Sequence, residues 1–148
     1  MDRREFTVKV PALLALGSLL SREATGQTVQ TALKPLTSGV FQPGPSKAGQ
    51  EGHASQAVLT GMLAAGNIRL EMHESVQQPG APHEAIGTHK HSEIWCVKTG
   101  AATLYINGTE HRLEAGDVGL VCAGDTHWIA NAGPGELSYF VITVGPPE

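Results

Sequence analysis

Short β-prone stretches recur at regular intervals along the second half of the chain, and they limit what it can fold into. Ile68, Leu70 and Met72 alternate with polar residues, which is the period of a strand with one buried face. Similar stretches follow, separated by turns that contain glycine, and Asn107-Gly108 is a dipeptide typical of a two-residue hairpin turn. We therefore predict an all-β sandwich or barrel without helices. The other predicted strands are residues 94–97, 101–106, 109–113, 118–121, 127–130 and 137–144.

The composition supports this architecture and restricts the partners. A chain of 148 residues is long enough for one domain with a stable core. Its 18 glycines and 9 prolines, with only 16% charged residues, favour many short elements over long helices. The formal net charge of -4, without a run of Lys or Arg, argues against nucleic acid or an anionic membrane surface as a partner. We expect a small-molecule ligand.

Residues 1–26 have the pattern of an export signal, because Arg3 and Arg4 precede a mostly apolar run at residues 8–20. The arginine pair resembles a twin-arginine signal, and an ordinary secretory signal or an uncleaved anchor are the alternatives. We predict a bacterial protein that is periplasmic or secreted and has no membrane partner after signal cleavage.

Residues 27–56 are rich in Pro, Gly, Ser and Gln, which predicts a linker or N-terminal arm in which His53 is exposed to solvent. The barrel domain is then predicted at residues 57–148. Cys96 and Cys122 are predicted to be buried free thiols, with a disulfide between them as the alternative in an exported protein.

His89, His91 and Glu93 lie within five residues of one another and are candidate metal ligands. If this segment is extended, residues two apart share one face, and the two imidazoles converge. Imidazole nitrogens and a carboxylate suit one divalent transition metal, Fe, Mn, Ni, Cu, Co or Zn. Three or four protein ligands would leave a position for water or substrate.

A second pattern lies further along the chain. The segment from Gly116 to Asn131, with Cys-Ala-Gly-Asp-Thr-His ending at His127, resembles the second conserved motif of the cupin superfamily. Glu93, six residues and Gly100 resemble the second half of its first motif. The resemblance covers residues 68–144 and implies a single double-stranded β-helix, or jelly-roll, barrel with a metal inside. It also implies that His127 is a ligand and that the chain forms a homodimer.

The first motif is incomplete in this chain. Counting back from Glu93 by the motif's spacing places its second histidine at His89 and its first at Gly87. Either His91 or His83 would then substitute, or the turn before Glu93 is shortened and His89 and His91 form the His-x-His pair of the motif. We predict His89, His91, Glu93 and His127 as the metal ligands. Trp95 shares a strand face with Glu93 and is predicted either in the substrate pocket or in the core.

The predicted function is that of a metal-binding protein acting on a small oxygen-bearing molecule, as a dioxygenase or as a metal-dependent isomerase or lyase. The alternative is a non-catalytic module that binds a sugar, a small acid or a metal, because fold alone does not determine activity. No Gly-x-Ser-x-Gly turn and no glycine-rich phosphate loop occurs in the sequence.

Overall fold

Nine strands account for the regular structure of residues 33–147, the part of the chain that the computed structural model describes. They form an all-β jelly-roll barrel, as predicted, from a six-stranded sheet in the order β1-β2-β3-β9-β4-β7 and a three-stranded sheet in the order β6-β5-β8. Neighbouring strands are antiparallel. The strands are β1 (Lys47–Ala48), β2 (His53–Leu63), β3 (Ile68–Gln77), β4 (Ser92–Thr99), β5 (Ala101–Ile106), β6 (Thr109–Glu114), β7 (Val118–Val121), β8 (His127–Asn131) and β9 (Leu137–Gly145).

The described residues contain no helix, and so none that could cross a membrane. The predicted export signal lies outside the described residues.

The hairpin between β5 and β6 confirms the strongest local prediction. Asn107 and Gly108 have φ values of 47° and 94°, and a two-residue hairpin turn of the primed type needs this left-handed region at both positions. The strands on either side are paired from Ile106 with Thr109 to Ala101 with Glu114. The local turn chemistry therefore sets the register of this pair.

The first long strand begins earlier than the predicted start of the barrel at residue 57. β2 pairs with β3 from His53 opposite Gln77 to Leu63 opposite Ile68, with a bulge between Ala57 and Leu59. His53 is the first residue of this strand and not part of an arm; it is partly exposed, and its Nε2 lies 2.7 Å from the carbonyl oxygen of Pro82. The start of β2 consists of small and polar residues, so it lacks the alternating apolar pattern that predicts a strand.

The barrel interior is filled from both sheets. Along β4, Glu93, Trp95 and Val97 are buried while the residues between them are partly exposed, which confirms the predicted inward face. Because two sheets contribute to this interior, their apolar side chains pack into one core. The buried core consists of Trp95, Val97, Ala102, Leu104, Leu113, Val121, Ile129, Leu137, Tyr139 and Val141.

Gly100, the last residue of the first motif, is required by the turn between β4 and β5. Its φ is 81°, and a Cβ here would lie 2.6 Å from the carbonyl oxygen of Glu136. A side chain would therefore be strained by the backbone angle and would also clash with backbone.

Both cysteines are free, as predicted, but only Cys96 is partly buried. The prediction of a buried thiol was wrong for Cys122. β7 ends at Val121, so residue 122 already belongs to the exposed turn.

Candidate metal centre

Three predicted ligands converge where the two sheets face each other. Glu93 lies on β4, His127 is the first residue of β8, and His89 precedes β4. One ligand atom from each of these residues lies within 4.8 Å of the other two. Two bonds of about 2.2 Å to a common ion span at most about 4.4 Å, so a small adjustment of side chains suffices to close the group around a metal.

The carboxylate of Glu93 is the clearest sign that this group suits a cation. Glu93 is buried, and its Oε2 lies 3.0 Å from Nε2 of His127. Oε2 nevertheless has no hydrogen-bond partner of acceptable geometry among the described residues. Leaving a buried carboxylate oxygen without a partner is costly. A divalent ion held by His89, Glu93 and His127 would supply this oxygen with a partner.

The electrostatics of this pair favour charge on both partners. Burial alone would raise the pKa of Glu93, but the nearby imidazoles of His127 and His91 outweigh burial and hold it below its ordinary value. The Glu93 carboxylate in turn raises the pKa of His127 above its ordinary value, against the opposing effect of burial. A metal ion would therefore replace a proton at His127 Nε2.

Asp125 orients His127. The Nδ1 of His127 lies 3.0 Å from the backbone carbonyl oxygen of Asp125, to which it donates its proton. This contact directs Nε2 into the barrel and makes it the nitrogen available as a ligand. Metal-binding histidines are commonly held by such a second hydrogen bond.

Gly87 lies directly beside the ligand atoms. Its N–H and C=O exchange hydrogen bonds of 2.9 and 3.0 Å with the backbone of His127. A Cβ at Gly87 would lie 2.8 Å from Nε2 of His89 and 3.0 Å from Nε2 of His127. The position that the motif spacing assigns to the absent histidine is thus part of the site, and a side chain there would crowd both imidazoles.

His91 contacts the edge of this group. Its ring stacks on that of His89 with centroids 4.6 Å apart and planes 8° apart, and its Nε2 lies 3.3 Å from Oε1 of Glu93. It therefore touches the carboxylate oxygen that faces away from His127. Its assignment as a fourth ligand stays a prediction.

His83 lies elsewhere, so the structure does not support it as a substitute ligand. Its exposed ring stacks on Trp128 at a centroid distance of 4.8 Å, and its Nδ1 contacts the backbone carbonyl of Glu84.

Trp95 is buried in the core beside the site. Its ring centroid lies 6.1 Å from that of His127 and 5.6 Å from that of Tyr139. Its indole N–H has no hydrogen-bond partner among the described residues. A role for Trp95 in a substrate pocket stays a prediction.

A cavity of about 460 Å³ reaches this site at Gly87 and His89. Ser75 and His73 on β3 line it, together with Glu84, which the sequence patterns did not single out. The phenol of Tyr139 donates a hydrogen bond of 2.5 Å to Oε1 of Glu84. Glu84 lies outside the regular strands, where no periodicity indicates the direction of a side chain.

The fold and the site define a small β-barrel protein with a His/Glu/His group, of which Glu93 and His127 are buried and His89 is partly buried. Residues 73–143, close to half of the chain, match the Cupin domain family. An oxalate-binding protein of Thermotoga maritima is 30% identical over 66 residues, which are 43% of this chain and 54% of that protein. The chain thus spans about half the length of this curated relative.

Solved structures show the same fold. An RmlC-like cupin from Shewanella frigidimarina has a TM-score of 0.60 at 20% identity, over 75% of this chain and 95% of the other. KdgF from Halomonas sp. has a TM-score of 0.59 at 20% identity, over 76% and 96%. A predicted oxalate decarboxylase from Thermotoga maritima has a TM-score of 0.52 at 20% identity, over 70% and 92%. Residues 73–143 thus resemble the Cupin domain family, and the solved structures share the fold of this chain.

Proposed function

We propose that this protein binds one divalent transition metal through His89, Glu93 and His127 and uses it to bind a small oxygen-bearing molecule. The observation that carries the proposal is the convergence, within 4.8 Å, of ligand atoms from two imidazoles and a buried carboxylate whose Oε2 makes no hydrogen bond among the described residues. When bound, the metal supplies a Lewis acid that polarises a carbonyl, carboxylate or hydroxyl oxygen.

The residues around the metal group have separate tasks in this proposal. Asp125 holds the ring of His127, and His91 supports Glu93 through its other oxygen. Gly87 lets both imidazoles lie close to the backbone, and the cavity gives a ligand access to Gly87 and His89.

Isomerase or lyase chemistry is our first choice of reaction class. Such reactions need a polarised oxygen and a group that moves a proton, and Glu84 offers a carboxylate in the same cavity. Dioxygenase chemistry is the second choice and requires a metal able to activate dioxygen.

A non-catalytic binding module is the alternative, and two observations favour it. Gly87 stands where the motif spacing expects a fourth ligand, and the curated relative from Thermotoga maritima is named for binding oxalate. A weakly held metal with three protein ligands could serve ligand capture alone.

Elemental analysis of protein purified without chelator tests the metal proposal, and we expect one transition-metal ion per chain. The metal-loaded protein is then incubated with diols, keto acids and thiols in an oxygen electrode. Oxygen consumption would indicate a dioxygenase, and product formation without it an isomerase or lyase. Saturable binding without any product would indicate the binding module, while the absence of metal would contradict the proposal.

We also propose that residues 1–26 direct export and that the mature chain acts as a homodimer in the periplasm or outside the cell. The support is the Arg3-Arg4 pair before an apolar run. Replacing both arginines by lysine should retain the protein in the cytoplasm if the signal is of the twin-arginine type.

Light scattering on the purified protein measures the oligomeric state.

A further inference from the structure

Glu84 is held in a defined position beside the metal group. Its backbone N–H donates a hydrogen bond to the carbonyl of Ile129. Further along the same segment, Gly87 forms two backbone hydrogen bonds with His127. Two residues lie between Glu84 and Gly87, but only one lies between His127 and Ile129, so this segment carries one extra residue relative to β8. These backbone contacts place Glu84 close enough to His127 for its charge to act on that imidazole.

The side chain of Glu84 is fixed by a buried chain of hydrogen bonds. Gln77 Nε2 donates to the hydroxyl of Tyr139 at 2.8 Å, and that hydroxyl donates to Oε1 of Glu84 at 2.5 Å. Gln77 and Tyr139 are both fully buried. Burial raises the pKa of the Tyr139 phenol, and the charge of Glu84 raises it further, so the phenol remains a donor at neutral pH. The carboxylate is thus prepositioned before a ligand arrives.

The polar lining of the cavity has an unusual charge distribution for a site that would bind an anion. Glu84 is the only carboxylate among the described residues that line it, and none of them is Lys or Arg. The other polar groups include Gln50, Ser55, His73 and Ser75. Beyond the metal group, a second negative charge on a ligand would face Glu84 without a permanent cation to pair with it.

The lining suits hydroxyl groups instead. An ionised carboxylate accepts about four hydrogen bonds, and Tyr139 supplies one of them, which leaves capacity for ligand hydroxyls. Ser55 and Ser75 offer hydroxyls that both donate and accept. The volume of about 460 Å³ corresponds to roughly 15 water molecules at about 30 Å³ each, far more than oxalate occupies.

We infer that Glu84 contacts the ligand and selects uncharged, hydroxyl-rich molecules of about monosaccharide size over small dicarboxylates. This inference rests on the proposed metal-dependent binding function and specifies its ligand class. Tyr139 is the positioning residue for Glu84, and Gln77 in turn positions Tyr139.

The test uses the full metal-loaded protein and calorimetric titration with D-fructose, D-mannitol and oxalate. The wild type should bind at least one of the uncharged probes more tightly than oxalate. Glu84→Gln keeps the size of the side chain and an acceptor for Tyr139 but removes the charge. It should weaken binding of the uncharged probe and strengthen oxalate binding, each by about tenfold. Glu51→Gln makes the same change at an exposed residue that does not line the cavity and should leave both affinities unchanged.

A second variant separates selection by charge from loss of structure. Tyr139→Phe retains the charge of Glu84 but removes its hydrogen-bond donor, so binding of the uncharged probe should weaken while oxalate stays disfavoured. The inference is overturned if the wild type prefers oxalate, if it binds no uncharged probe, or if Glu84→Gln leaves the ratio of the two affinities unchanged. Metal content measured on the same samples distinguishes this failure from failure of the proposed function. If the protein is fully loaded with metal and prefers oxalate, the proposed ligand class is contradicted and the proposed metal site is not.

Discussion

Nε2 of His127 lies 3.0 Å from Oε2 of Glu93, although the two residues belong to different sheets of the barrel. The pair is buried, and its atoms approach without the alignment of a hydrogen bond. Two ligand atoms that face a common point, with His89 as the third, are what a metal ion requires. The contact thus links the two sheets and also brings together two of the proposed metal ligands.

Removing either partner should remove the metal. For Glu93→Gln and His127→Ala we expect metal affinity to fall by more than about 100-fold, because changes in outer-shell partners alone already cost about 10–100-fold. Metal content by elemental analysis after dialysis measures the effect. His111→Ala, an exposed histidine on β6, is the matched control and should keep one metal per chain. Full occupancy in both site variants would contradict the assignment.

His89 and His91 should behave differently. His89→Ala removes one of the three converging ligands, so we expect loss of stoichiometric metal. His91→Ala removes a contact to the outer oxygen of Glu93 and should weaken binding by about tenfold while one metal per chain is still bound at saturation. Competition with a chromophoric chelator measures both affinities. Equal loss in the two variants would instead show that His91 is itself a ligand.

Gly87→Ala should disturb the metal group without unfolding the barrel. The added Cβ would come within 3.0 Å of two imidazole nitrogens and push them apart, so we expect about tenfold weaker metal binding. Gly135→Ala adds the same methyl group where nothing lies within 4 Å and is the control. Thermal unfolding of the metal-free variants checks that both remain folded. Unchanged metal affinity in Gly87→Ala would place the metal elsewhere.

Glu74 should make stability sensitive to acid. Burial alone would raise its pKa, but hydrogen bonds from Lys98, Ser138 and Gln56 and the charge of Lys98 outweigh burial and lower the pKa from 4.5. A carboxylate with a lowered pKa in the folded state stabilises fully above pH 4.5, and this contribution is lost as the pH falls through its folded pKa. Because the side chain of Lys98 is 40% exposed, we expect Glu74→Gln to lower the free energy of unfolding at pH 7 by only about 1 kcal/mol.

Urea unfolding of this variant and the wild type at pH 7, 5 and 3 measures the effect. The difference between them should shrink toward pH 3. Glu114→Gln, in an exposed pair with Arg112, should show no such dependence. A difference that does not vary with pH would mean that Glu74 acts through packing rather than charge.

Local sequence patterns predicted most of the strands and the inward face of β4. Asn107-Gly108 dictates a hairpin because few other dipeptides tolerate left-handed backbone at both positions. Glu93, Trp95 and Val97 share a face because side chains alternate along a strand. The same reasoning failed at the start of β2, where His53 and its neighbours show no alternating apolar pattern.

The choice among histidines could not be made from the sequence. His89 and His91 both precede Ser92, the first residue of β4, so strand alternation does not extend back to them. The rings of His89 and His91 stack on each other. Only the distances to Glu93 and His127 show that His89 belongs to the converging group and that His91 lies beside it. Motif spacing pointed to His89, and His89 is the histidine with a ligand atom within 4.8 Å of ligand atoms of both Glu93 and His127.

The sequence by itself thus determined an all-β barrel, its hairpins and the residue types of a metal group, because these follow from turn chemistry and the two-residue period of a strand. Only the tertiary structure decided what surrounds that group. Gly87 and Glu84 reach it through backbone hydrogen bonds to β8, which is distant in sequence, and an extra residue between them alters the register. No local pattern encodes such a long-range pairing, so the close approach of Gly87 to the imidazoles and the position of Glu84 in the cavity arise only when the chain has folded.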